Sequence, residues 1–235
     1  MMTDANAGDV DGWQRVVKHC TDVMAKRGLE LQPIDPDGNC LFRAVGCALG
    51  RESEYGDLRQ QCIEYMKAHR DDFAPFISDE DEGFSALHPN TKDVDLFDHR
   101  MKRMAEDACW GAHVELTALA QLLKTNVLVH QADDSPPVQV EVDGEDKCIQ
   151  IVFHPDHHSG AHYDCCRPID TAKPALPSLK EALETLEEYK AKEKVRQEEE
   201  EAAKKKAESQ KGLTDLSGGY SKLNQKKKKK PRGFL

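Results

Sequence analysis

No apolar run in the 235-residue sequence approaches the roughly 18 residues a bilayer-spanning helix needs. The acidic, polar N-terminus also lacks the basic and apolar regions of a signal peptide. These absences predict an intracellular soluble protein with no membrane contact, cytoplasmic with the nucleus as a second location. The eight cysteines form no CxxC pair and no compact disulfide spacing, so they are expected to be reduced and mostly inert core thiols. Positive charge is scarce as well: residues 1–175 carry 17 Lys+Arg against 32 Asp+Glu, or −15, and the remaining 60 carry 16 against 11, or +5. Phosphate affinity needs clustered Lys and Arg, so the globular part is a poor nucleic-acid binder and better suits a locally basic partner.

Helical periodicity comes first along the chain. Trp13, Val16, Val17, Cys20, Val23 and Met24 mark one face of a helix over Asp11–Arg27, stopped at Gly28. Leu29-Glu30-Leu31 is extended, and Pro33 and Pro36 lead into Asp37-Gly38-Asn39-Cys40. Cys40 to Leu49 is apolar nearly all round and predicts a buried helix ended by Gly50. Ser53 is placed to cap a third helix bearing Leu58, Cys62, Ile63, Tyr65 and Met66. An acidic loop follows at Ser78–Gly83, then helices over Val94–Ala108 and His113–Lys124. Strands take over at Asn126–His130, Val138–Val142 and Cys148–Phe153. A loop over His154–Ala161 leads to a short last strand, His162–Arg167. Helices first and strands later predict an α+β domain of about 170 residues.

The remainder is a charged extension. The expected boundaries are an N-terminal helix at 1–28 packed on a domain at 29–170, a charged helical segment at 171–211 and a disordered basic tail at 212–235. Glu198–Lys206 holds only alanine and charge, with no heptad seam. Lys226–Lys230 with Pro231-Arg232 is by default a solvated tail; its alternative is an import-receptor or nucleic-acid contact. Nothing in the pattern demands more than a monomer.

Cys40 stands where a turn gives way to a helix. Unbonded N–H groups and the positive dipole end favour a thiolate there, although most free cysteines are small buried hydrophobes, so a partner base is required. His162 opens a strand after a glycine-containing loop, and Asp164, two residues on, shares its face at the strand period of two. A Cys/His/Asp set suits acyl transfer, in which thiolate attacks a carbonyl and imidazolium protonates the leaving amine. The Asp37–Cys40 backbone offers N–H donors for the oxyanion, and Arg43, a helical turn away, is expected to position rather than react.

Three blocks, Asp37-Gly38-Asn39-Cys40-Leu41-Phe42-Arg43-Ala44, Trp110-Gly111-x-x-x-Glu115-Leu116 and His162-Tyr163-Asp164, resemble in order and spacing the signatures of the ovarian-tumour (OTU) family of cysteine deubiquitinases. The resemblance covers about residues 30 to 168. It implies a papain-like fold with helices on a small, mainly antiparallel sheet. It also implies hydrolysis of isopeptide bonds after ubiquitin's C-terminal glycine, without metal or organic cofactor, with ubiquitin, polyubiquitin chains and ubiquitinated proteins as partners. Cys40 maps to the nucleophile, His162 to the general base, Asp37 to the acid of the cysteine loop and Asp164 to the residue orienting the imidazole. Two acids thus compete for the third role; Asp164 is favoured as the direct partner of His162, and Asp37 as the organiser of the loop. The Trp110 block is assigned to packing behind the site.

Two rival readings remain. His154, His157, His158, His162, Cys165 and Cys166 are ligand-type side chains within a short stretch, although adjacent Cys165 and Cys166 point to opposite faces of a strand. The other rival is a non-catalytic ubiquitin-binding scaffold of the same fold.

Overall fold

The computed structural model describes residues 7–78, 95–133, 135–157, 160–169 and 176–227. Most of the expected acidic loop, together with Val94, His158 and the lysines after Lys227, lies outside them. The chain divides into two units, Met1–Glu187 and Glu188–Leu235.

In the first unit, α1 (Ala7–Lys26) buries Cys20, Val23 and Met24, one helical stripe, and turns at Gly28 (φ +73°) into β1 (Leu29–Gln32). Residues 33–39 then lead to α2 (Cys40–Ala48), whose residues are buried apart from Arg43. A 3-10 turn over Glu52–Glu54 precedes α3 (Tyr55–Ala68). The expected Ser53 cap is therefore not made: Ser53 sits inside that turn, and no side chain caps α3. A short α4 (Arg70–Phe73) leads on to α5 (Leu96–Met104), shorter than its apolar pattern. Asp95 stops it at one end by accepting the Asp98 N–H at 3.0 Å. α6 (His113–Leu123) follows, burying Leu116, Ala118, Leu119 and Ala120.

Five strands form one sheet in the order β1-β5-β4-β2-β3, with β2 (Asn126–Gln131), β3 (Val138–Val140), β4 (Cys148–His157) and β5 (Gly160–Pro168). Only β2 and β4 pair in parallel; the other pairings are antiparallel. Ile149, Ile151, Tyr163 and Cys165 join α2, α3, α5 and α6 in the main core, while Val152 and Cys166 pack with Cys20, Val23 and Met24 of α1. Cover on both faces explains why these strands read as continuous apolar runs. β3 ends before Val142 because the Val142 N–H donates to the Asn126 side chain at 2.8 Å rather than to a strand.

The largest departure from expectation is the region 154–161. Its described residues are strand rather than loop: β4 runs on to His157 and β5 begins at Gly160, with His154 opposite His162 and a register shift between His154 and His157, while 158 and 159 lie outside the described residues. Backbone pairing carries these polar residues along regardless of their side chains. α7 (Leu179–Lys227) begins in the first unit, where Ala182 and Leu186 are buried, and its backbone stays helical past Gly212, where coil was expected.

Candidate active site

β5 supplies two polar side chains from one face, His162 and Asp164, both buried. His162 Nε2 lies 3.1 Å from Asp164 Oδ1, and that oxygen also accepts the Ile34 N–H at 2.7 Å. Cys40 is the other group close enough to act on the His162 imidazole. Since Nε2 serves Asp164, Nδ1 is the nitrogen left for the thiol. The set joins residues far apart in sequence because residues 33–39 bring the start of α2 over the catalytic end of β5.

Burial opposes charge on His162, but hydrogen bonds and Coulomb attraction to Asp164 and Cys40 win and push its pKa up to about 9. Burial also works to raise Asp164, yet donors from His154, His162 and the Ile34 N–H hold it well below the usual carboxylate range. A charged imidazolium between a carboxylate and a thiol stabilises the thiolate, the nucleophilic form.

Asp37 is placed elsewhere. Its Oδ2 takes Arg43 Nε at 2.8 Å and Nη2 at 2.7 Å, while Oδ1 accepts the Asn39 N–H at 2.9 Å. Both oxygens are thereby committed to the cysteine loop, so of the two candidate acids Asp164 alone meets His162. Arg43 also lies over the Tyr55 ring, 3.9 Å from its centroid, which fixes the guanidinium that holds Asp37. The expected row of oxyanion donors is correspondingly shorter. Asp37 N–H goes to Asp35 O and Asn39 N–H to Asp37, leaving the Gly38 and Cys40 N–H groups without hydrogen bonds among the described residues.

Arg59 was not anticipated. It lies on the buried face of α3, one residue after Leu58 and three before Cys62, where a charge at helical spacing is the signal. Its guanidinium donates to Cys109 O at 2.7 Å, Met104 O at 3.2 Å and Asn39 Oδ1 at 2.6 Å, and it stacks on Phe42. Gly38, with φ +80°, lies so close to Ala108 that a Cβ would stand 2.1 Å from its carbonyl oxygen. Arg59 and this contact clamp the cysteine loop onto residues 104–109. His154, named above only as a candidate metal ligand, donates to Asp164 Oδ2 at 3.0 Å.

The Trp110 block surrounds the same loop. Trp110 stacks on Tyr163 at 6.0 Å, and a Cβ at Gly111 would meet Leu41 at 2.7 Å. Glu115, fully buried, takes Arg100 in a two-pronged pair at 2.8 Å and accepts the Ala112 N–H that starts α6.

For the metal reading, His154 and His162 both turn Nε2 to Asp164, and Cys165 and Cys166 belong to different cores. No metal-holding cluster occurs among the described residues.

The OTU-like cysteine protease family model matches residues 35–163, which include Cys40, His162 and Asp37. The chain belongs to this family. Among similar proteins, the OTU relative "Deubiquitinase OTUD6B" of Homo sapiens is 32% identical over 153 residues, covering 60% of this chain and 47% of the relative. "OVARIAN TUMOR DOMAIN-containing deubiquitinating enzyme 6" of Arabidopsis thaliana is 29% identical over 190 residues, covering 80% and 34%. The chain spans about half the length of the first curated relatives it matches. The solved "OTUD1 OTU domain" superposes with a TM-score of 0.51 at 24% identity, over 68% of this chain and 99% of that one, which shows the OTU fold. Asp164 lies one residue beyond the matched segment, and α1 lies wholly outside it.

Proposed function

We propose that the chain is a deubiquitinase that hydrolyses isopeptide bonds after the C-terminal glycine of ubiquitin through a thioester. The observation that carries this is that Cys40, His162 and Asp164 are buried together, with His162 hydrogen bonded to Asp164 and its charge supported by that carboxylate and by Cys40. Cys40 thiolate attacks the glycine carbonyl, and the N–H groups of Gly38 and Cys40 receive the developing oxyanion. Imidazolium at His162 gives its proton to the leaving lysine amine. Neutral His162 then takes a proton from water, which attacks the thioester and frees the ubiquitin carboxylate. Ubiquitin as substrate is supported by relatives named deubiquitinases. No metal enters this scheme.

A ubiquitin bearing a C-terminal electrophile is expected to form a covalent adduct with the wild-type protein and none with Cys40→Ala. Absence of the adduct on folded wild-type protein would favour the non-catalytic scaffold. Cleavage of a panel of defined chains then assigns linkage. Monomeric state and a cytoplasmic location with nuclear access through Lys226–Lys230 belong to the same reading; light scattering and imaging of a tagged chain with that run neutralised test them.

A further inference from the structure

Asp164 is shared by two imidazoles, and only one of them has a place in the chemistry above. We propose that His154 is a positioning residue for the Cys40–His162 pair: by donating to Asp164 Oδ2 it fixes the carboxylate whose Oδ1 orients His162. The register explains how it gets there. His154 pairs directly with His162 across the hairpin, so Asp164, two residues further along β5, is its diagonal neighbour on the same face. The distances are 3.0 Å from His154 Nε2 to Oδ2 and 3.1 Å from His162 Nε2 to Oδ1, with the two rings 6.1 Å apart. His154 is buried to 1% exposure, so its donor faces no competition from bulk water.

A carboxylate bonded on Oδ1 alone retains rotation about its last torsion, which misaims the oxygen that His162 needs. A second donor on Oδ2 removes that freedom. The groups facing His154 are few: Cys20 Sγ of α1 lies 3.7 Å from the same Nε2, burial and Asp164 push that thiol up to about 12, and it stays neutral. Arg15 and His19 of α1 and Asp133 after β2 line, with His154, a cleft of about 430 Å³. Through Cys20 and His154, α1 thus abuts the reacting line, although it lies outside the family match.

The assignment rests on Cys40 and His162 acting as a pair, and its test avoids ubiquitin. Alkylation of Cys40 by iodoacetamide, followed by peptide mass spectrometry across pH, reports the thiolate that His162 sustains. With His154→Leu, the rate at mildly acid pH is expected to fall about tenfold; with His154→Gln, whose amide N–H reaches the position of Nε2, most of it returns. For turnover, kcat falls in His154→Leu with KM unchanged, and the alkaline limb of its pH profile moves down. Wild-type alkylation in His154→Leu overturns the proposal. So does a His154→Gln as slow as His154→Leu when both melt like wild type, because packing alone would then be at work. Where His154→Leu does not fold, His154→Asn, whose amide stops short of Asp164, takes its place in the same comparison. Rapid Cys40 alkylation in wild-type protein that no ubiquitin electrophile captures would sink the deubiquitinase reading and leave this one standing.

Discussion

Asp164 accepts three donors on two oxygens, from Ile34, His162 and His154, and keeps its charge inside the protein for that reason. Asp164→Ala is expected to lower kcat about 10²-fold with little change in ubiquitin affinity, because the group acts on the imidazole and not on the substrate. Steady-state kinetics beside binding to Cys40→Ala protein separate the two quantities; equal rates in mutant and parent would remove Asp164 from the mechanism. Asp37→Ala acts differently: it frees Arg43 and the Asn39 N–H, loosening the loop, so lost activity should accompany a lower Tm. The raised His162 pKa also sets a pH dependence. Activity should fall on an alkaline limb near 9 as the imidazolium loses its proton. The same ion pair stabilises the fold fully below the ordinary histidine value of 6.5, and this contribution disappears as pH rises through about 9. Asp164, with its pKa depressed, contributes above the ordinary carboxylate range and loses that contribution only as acid protonates the folded form. Titrating thermal stability in wild type and Asp164→Asn would show both limbs.

At the scale of elements, the cysteine loop is held by a helix that does no chemistry. Arg59 of α3 satisfies carbonyls at Met104 and Cys109 together with the Asn39 side chain. Arg59→Met keeps the bulk but leaves those acceptors dry, at a cost of about 2–4 kcal/mol in chemical denaturation. Gly38→Ala combines a left-handed φ with a backbone clash at Ala108, and about 1–3 kcal/mol of destabilisation is expected with reduced capture by the ubiquitin electrophile. A Gly38→Ala protein with wild-type stability would mean the loop can move off Ala108. The β4–β5 hairpin is the other decisive element. Its pairing runs on from Phe153 to His154 opposite His162, and that register brings a second histidine to Asp164.

Across the whole molecule, the first unit, Met1–Glu187, contains every residue of the site and the buried Ala182 and Leu186 of α7. Truncation after Glu187 is expected to leave Tm and Cys40 reactivity unchanged, whereas removal of 1–28 exposes the sheet face that Cys20, Val23 and Met24 cover and lowers both. Differential scanning of the two truncated chains checks this. Local chemistry made much of this molecule legible in sequence: turn residues before an apolar run placed Cys40 at a helix start, and the period of two put His162 and Asp164 on one face. The apolar periods marked the helices and strands. Other features were illegible because they depend on partners remote in sequence. Nothing in the sequence shows that Arg43 occupies Asp37 while His162 meets Asp164, and neither Arg59 nor His154 announces its acceptors. Periodicity and turn chemistry act over a few residues, so sequence alone determined most of the elements and singled out Cys40 and His162 as candidates. Which buried donors meet which acceptors is set by how a sheet and its helices close on each other, and that the tertiary structure alone decided.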